Sequence, residues 1–425
     1  MRRINHIFII IYVFIFFILS MGFVEWLREH SFYILIALLV IFIAIFWKKK
    51  QTYDIYTNAF ILLVFITSKL LFRNLDDATL VLRTSAILSF FFLHLVLLIG
   101  PWSRFSGRII KVYHYRRHLG VTVLLLGWLH ASIVFSKYFM FSVESAFSSI
   151  FTFYGFTALF IMIWLGITSW DYVQKKFKDL WWKILHGFLL IIYTAMALYV
   201  YRLQKSFNEP LLTYHALIIG IFILIWILVA PYSIIKKIMK TYVFGWKQLH
   251  VLIYIAYFSL LLHVLLGALT TRGLILKLVF WISILLVLGS HITGWIKKMY
   301  EDRKINKKMG LINQQFTEDN KLFIGIAHVN EFEEGKGKRF YVKNNPIAVF
   351  KNEGNFIAIS NICAHQKGPL YKGRVEYGMV ECPWHYWTYE LKTGCTLGKE
   401  RFCIPAYETR IKDDTIFVSA EPKQS

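Results

Sequence analysis

No cysteine occurs in the first 310 residues of this 425-residue chain, and acidic residues are scarce there as well, 11 Asp and Glu against 33 Lys and Arg. Without thiols that segment can hold neither a disulfide nor a thiolate-bound metal. Charged residues make up only 17% of the chain. An ordinary globular domain carries roughly a quarter, so a soluble enzyme and a disordered scaffold both fit poorly. What replaces charge is apolar: 57% hydrophobic, 18% aromatic, mean hydropathy +0.52. The net charge of +23 sits almost wholly before residue 311, because the last 115 residues balance 15 basic against 14 acidic side chains. No basic soluble face is left for nucleic acid, and the charge acquires a topological meaning.

Crossing a bilayer as helix takes about 20 apolar residues. Ten such segments are expected, at 4–23, 31–47, 53–72, 78–101, 118–138, 151–170, 182–201, 211–234, 248–270 and 273–296. The first is too long, and too poorly followed by small residues, to read as a cleavable signal. The loops alternate in charge. Arg2 and Arg3, the Lys48–Lys50 run, Arg104–Arg117, Lys175–Lys183 and Lys236–Lys247 carry 18 basic residues, against six in the opposite loops. By the positive-inside rule both termini are expected in the cytoplasm of a multi-pass protein, with lipid as a partner and a bacterial cytoplasmic membrane as the setting.

Ionisable side chains are costly in hydrocarbon, yet eight of the 14 His lie in or beside these segments: His94, His118, His130, His186, His215, His250, His263 and His291. Helix-to-helix hydrogen bonding is the plain explanation for any one of them. Three patterns point further. His250 and His263 share a segment 13 residues apart, roughly 20 Å along a helix. The run WKILH, ending in His186, repeats the WKQLH that ends in His250, although Tyr199 stands where the second His of that copy would fall. The fifth segment opens with His118 and reaches His130. Neutral imidazoles facing one another on neighbouring helices can grip a haem iron from both sides.

Residues 90–270 resemble the ferric-reductase-like transmembrane family, which includes ferric reductases, NADPH oxidases and the haem-binding membrane subunit of the periplasmic methionine-sulfoxide reductase system. The likeness is carried by RRHLGVTVLLLGWLH at 116–130, YGFTALFIMIWLGITS at 154–169 and the repeated W-K-x-L-H. It implies b-type haem held by paired His, with His130, His250 and His263 at family ligand positions and His186 matching in the first copy of the pattern. Depth along the helices pairs His130 with His263 on the outer side and His186 with His250 on the inner, with His118 as the substitute inner ligand, so that two haems are expected, one being the alternative. The chain departs from the family in Tyr199 and in having more than six spans.

After Trp295 the composition changes. A polar stretch at 301–318 is expected to link a helical bundle (1–90, then the haem-binding 91–300) to a small all-β domain at 319–425. Segments such as KLFIGIAHV and IAVFKNEGNFIAISN alternate apolar and polar residues and are separated by Gly, Asn and Asp, as in antiparallel hairpins. All four cysteines fall here. Cys363-Ala364-His365 is followed, after sixteen residues, by Cys382-Pro383-Trp384-His385. Two thiolates and two imidazoles could hold zinc, but Cys-x-His with Cys-x-x-His fits a [2Fe–2S] centre in which Cys residues hold one iron and His residues the other. This stretch resembles a Rieske domain. The resemblance implies Cys363, His365, Cys382 and His385 as ligands. It also implies a low potential, since high-potential members carry a disulfide where Gly368 and Trp384 stand, and a hydroxyl where Trp387 stands. Cys395 and Cys403, away from the ligand loops, are expected to be free thiols, as befits a cytoplasmic domain.

Together these parts imply a transmembrane oxidoreductase. It would pass electrons between a cytoplasmic cluster and membrane haems to an outer-face acceptor: ferric iron, a quinone, oxygen or a periplasmic partner. No Gly-rich dinucleotide fingerprint is present, so a separate reductase or ferredoxin is the expected donor. A membrane-anchored ferredoxin serving an oxygenase, or a haem-free redox sensor or assembly protein, are the other readings.

Overall fold

The computed structural model describes residues 29–48, 52–110, 112–147, 149–168, 252–270, 273–365, 367–384, 386–397 and 402–423, with isolated positions between 195 and 202. Apart from those isolated positions, the expected segments 4–23, 182–201 and 211–234 lie outside the described residues. The chain divides into two compact units, Met1–Val96 with Arg117–Ile284, and Leu97–Arg116 with Leu285–Ser425.

The first part is helical: α1 (Ser31–Lys48), α2 (Thr52–Leu71), α3 (Asp77–Trp102), the short α4 (Gly107–Ile110), α5 (Arg116–Lys137), the short α6 (Val143–Phe147), α7 (Ile150–Thr168), α8 (Leu252–His263) and α9 (Leu274–Ile312). The seven other expected apolar segments thus each contain a helix. Among the described residues, five of these helices (α2, α3, α5, α7 and α9) are long and apolar enough to cross a membrane. Small residues let the helices approach closely, as packing between apolar helices requires. A Cβ on Gly166 of α7 would come within 2.6 Å of Leu124 on α5, and one on Gly267 within 2.8 Å of Phe151 on α7. The polar run from Glu301 does not break α9, which continues to Ile312.

The second part is β: β1 (Gln315–Glu318), β2 (Lys321–His328), β3 (Gly337–Val342), β4 (Asn345–Asn352), β5 (Asn355–Ser360), β6 (Arg374–Glu376), β7 (Met379–Glu381), β8 (Thr388–Glu390), β9 (Ala406–Lys412) and β10 (Thr415–Pro422). Seven form one sheet in the order β1-β2-β10-β9-β5-β4-β3, and three form a second, β6-β7-β8. Five hairpins close with two residues at positive φ: Asp319-Asn320, Lys343-Asn344, Glu353-Gly354, Tyr377-Gly378 and Asp413-Asp414. This is the turn whose twist matches paired strands, and it explains the Asn, Asp and Gly found between the apolar runs.

Side chains alternate across β4. Ile347 and Val349 enter a core with Ile326, Phe340 and Val418, against which Ile305 and Met309 of α9 pack. Ala348 and Phe350 face the other way, into a core shared with Cys363, Cys382, Tyr389 and Leu391. A strand period of two thus divides one sheet between a structural core and the floor of the cysteine loops.

Candidate metal centre and histidine pair

The two cysteine motifs occupy two loops of matching construction. The first runs from the end of β5 to the single turn Leu370–Lys372, and the second joins β7 to β8. In the first, the Cys363 N–H donates to Gly368 O at 3.0 Å, and the Lys367 N–H donates to Cys363 O at 2.9 Å. In the second, the Cys382 N–H donates to Trp387 O at 2.7 Å, and the Tyr386 N–H donates to Cys382 O at 3.0 Å. Each loop turns through a left-handed residue four places after its cysteine, Lys367 (φ 62) and Tyr386 (φ 59). The repeated turn buries both sulfurs, each cysteine being 1% exposed.

The loops meet at Gly368. A Cβ there would lie 2.7 Å from the Cys382 sulfur and 3.1 Å from the Trp384 ring, so only glycine admits both. The Tyr389 hydroxyl, on β8, accepts the Ala364 N–H at 3.0 Å and lies 3.1 Å from the Cys363 sulfur. Burial and the neighbouring Cys363 push its pKa up, so it is a neutral donor at ordinary pH. Trp387 stacks flat on His365, centroids 4.7 Å apart and planes 4° apart. His385 lies outside the described residues. Among the described residues, no three His, Cys, Asp or Glu side chains converge on a single ion. Two buried cysteines in matching loops, an imidazole beside them and a hydroxyl at one sulfur fit a [2Fe–2S] group.

Cys395 and Cys403 are a disulfide, not the free thiols expected. The two residues are a β-bridge pair closed by the Thr396 N–H donating to Phe402 O and the Ile404 N–H donating to Gly394 O, each at 2.9 Å. Pairing of backbones, invisible in spacing alone, brings the sulfurs together. Two places after the second His the sequence has Trp387, and the hydroxyl at the cysteine loops comes instead from Tyr389, two places farther on.

Among the helices, His130 on α5 and His263 at the end of α8 face one another, ring centroids 6.3 Å apart at 75°. Each uses Nδ1 on a backbone carbonyl, His130 with Leu82 O at 3.1 Å and His263 with Phe151 O at 2.7 Å. His263 is seated against Gly155, where a Cβ would come within 2.6 Å of Nδ1. His118 instead meets the Asp54 carboxylate at 2.9 Å. His94 is held between Phe90 O and the Tyr257 hydroxyl, and His291 reaches Leu97 O. His186, Tyr199, His215 and His250 lie outside the described residues.

Residues 323–408 match the Rieske [2Fe-2S] domain family. The anthranilate 1,2-dioxygenase ferredoxin subunit of Burkholderia cepacia is 35% identical over 22% of this chain and 88% of its own length. The 3-phenylpropionate/cinnamic acid dioxygenase ferredoxin subunit of Photorhabdus laumondii is 30% identical over 23% and 95%. The ferredoxin component of the alkene monooxygenase system of Xanthobacter autotrophicus is 24% identical over 25% and 87%. Among solved structures, the ferredoxin of carbazole 1,9a-dioxygenase from Nocardioides aromaticivorans aligns with 24% of this chain and 98% of its own, at 24% identity and a TM-score of 0.22. Through its C-terminal domain, this chain belongs to the Rieske [2Fe–2S] family.

Proposed function

We propose that this chain is a membrane electron-transfer protein in which a Rieske cluster and b-type haem exchange single electrons. Cys363 and Cys382 would hold one iron of the cluster and His365 and His385 the other. His130 and His263 would hold a haem iron, and His186 and His250, outside the described residues, would hold the inner one. When bound, the cluster and the haem each supply a one-electron redox centre. The residues themselves bury the sulfurs, hold the imidazoles and keep water away.

One observation carries the haem reading: the separation of His130 and His263. An iron bonded to two imidazoles at about 2 Å from each nitrogen sets the ring centroids on the order of 6 Å apart, and the measured spacing is 6.3 Å. Each Nδ1 is committed to a carbonyl, which fixes the tautomer that leaves Nε2 as the metal-binding nitrogen. The membrane reading is supported by α9, whose apolar stretch is largely exposed, with Leu274, Ile275, Val279, Ile282 and Leu285 outward. An apolar surface of that extent is costly in water. The charge asymmetry of the loops supports an orientation with the cluster domain on the cytoplasmic side.

A second reading is favoured by the matched relatives, which are ferredoxin components of oxygenase systems aligned over most of their length. In it the helices are an anchor and the chain serves a separate oxygenase. Reduced-minus-oxidised visible spectra of the purified protein distinguish the two. A b-type α band that His263→Ala abolishes, with the cluster's electron-spin signal intact, is the expected result. A cluster spectrum with no porphyrin band refutes the haem reading and leaves the anchored ferredoxin.

A further inference from the structure

We propose that the ring stack of Trp384 on Tyr113 is the port through which the cluster exchanges electrons with the helical part of the same chain. This rests on the electron-transfer reading above.

Trp384 stands in the second cysteine loop, two residues after Cys382. One side of its indole lies against Gly368 of the first loop, so the ring touches both halves of the site. Against it lies Tyr113, centroids 4.1 Å apart and planes 13° apart. Tyr113 opens the single turn Tyr113–Tyr115 that leads directly into α5. Arg116, the first residue of α5, donates to the Tyr113 hydroxyl at 2.8 Å and places its guanidinium 5.0 Å from the ring centroid. Its head is seated beside Gly100, where a Cβ would stand 3.5 Å from a guanidinium nitrogen. A cation near the ring fixes its orientation and favours electron density there.

Electron tunnelling weakens steeply with the gap between donor and acceptor orbitals. Two π systems in van der Waals contact, one of them inside the cluster loop, shorten that gap where aliphatic side chains would not. The β domain has other contacts with α9. Arg339 donates to Asp302 at 2.6 Å, Tyr341 donates to the same carboxylate at 3.1 Å, and Ile305 and Met309 pack on the sheet core. Each transfer moves one electron: the reduced cluster becomes oxidised, and a ferric imidazole-ligated haem iron becomes ferrous. No covalent bond and no proton changes.

The test compares Tyr113→Leu, Trp384→Leu, Tyr113→Phe and Arg339→Gln in the full-length protein in nanodiscs. Flash photoreduction of the cluster, followed by decay of its reduced spectrum, gives the transfer rate. The electron-spin signal of the reduced cluster and amide hydrogen exchange across Gly337–Val342 report the loops and the seating of the domain without any turnover. Both Leu variants are expected to slow transfer about tenfold or more through lost positioning, with the spin signal and the exchange pattern of wild type, while Tyr113→Phe keeps a rate close to wild type. Wild-type rates in Tyr113→Leu overturn the port. So does a Tyr113→Leu variant whose exchange rises as in Arg339→Gln, because the stack is then only a clamp. Should Trp384→Leu fail to hold its cluster, Tyr113→Leu decides alone. A wild-type protein without porphyrin absorbance refutes the parent reading, and the port with it, before any variant is compared.

Discussion

The Tyr389 hydroxyl lies 3.1 Å from the Cys363 sulfur while accepting the Ala364 N–H at 3.0 Å. A cysteine bound to the cluster as thiolate has no proton to give, so with Cys363 as ligand the hydroxyl would be the donor to the sulfur. That bond stabilises the more negative, reduced cluster. Tyr389→Phe is expected to lower the midpoint potential by on the order of 50 mV, the equivalent of about 1 kcal/mol for a one-electron couple. Redox titration followed by electron-spin resonance measures it, and an unchanged potential refutes the hydrogen bond's role.

Gly368 offers a sharper test of the two-loop site. A single methyl there meets the Cys382 sulfur at 2.7 Å and the Trp384 ring at 3.1 Å. Gly368→Ala is expected to lose most of the cluster signal and keep the far-ultraviolet circular dichroism of the β domain. Retention of a full cluster signal would show that the loops yield more easily than the geometry implies.

The helical site has a matching glycine. Gly155→Ala on α7 forces its new methyl against His263 Nδ1 at 2.6 Å, in competition with the Phe151 carbonyl bond. On the proposed haem reading, most of the b-type absorbance should vanish and the cluster signal remain. If the α band persists at full intensity in this variant, His263 is not a haem ligand.

Cys403→Ser opens the disulfide to Cys395, which closes a loop of sequence separation 8. Closing a loop this short removes about 2 to 3 kcal/mol of unfolded-state entropy in the chain-entropy account. The β domain of the variant is expected to unfold several degrees lower in calorimetry, and alkylation before and after reduction should reveal the lost pair. Equal unfolding temperatures would mean that the bond contributes nothing to the fold.

Acid should loosen the end of α9 from the β domain. Burial alone would raise the Glu331 pKa, but the Lys308 ammonium and the His328 N–H outweigh it and hold the carboxyl below its usual value. A folded-state pKa below the unfolded one means stability that is present above the ordinary carboxylate range and lost as pH falls through the depressed value. Between about pH 6 and about pH 3, wild type should therefore lose more stability than Glu331→Gln in urea titrations. Parallel losses in the two proteins would rule out this pair as the acid-sensitive contact.

Much of the fold was legible because it rests on local patterns. Apolar runs at 53–72, 78–101 and 118–138 match helices Thr52–Leu71, Asp77–Trp102 and Arg116–Lys137 to within two residues, since only a helix pairs every backbone group inside one segment. Alternation broken by short polar pairs was equally informative in the β domain. Lys343-Asn344 and Glu353-Gly354 sit between strands because residues tolerant of positive φ are needed there. The cysteine motifs named the Rieske domain, since metal chemistry restricts both ligand type and spacing.

Sequence alone therefore determined the helical region, the β domain after it and the family of that domain, because periodicity and ligand spacing are properties of neighbours along the chain. Tertiary structure decided what distant residues do to one another. It set His130 across from His263, brought the Tyr389 hydroxyl to the Cys363 sulfur, stacked Tyr113 on Trp384 and joined Cys395 to Cys403. Each of these depends on which strand or helix lies beside which, and on the angle at which a ring arrives. Those quantities are fixed by packing in three dimensions and leave no periodic trace in the chain.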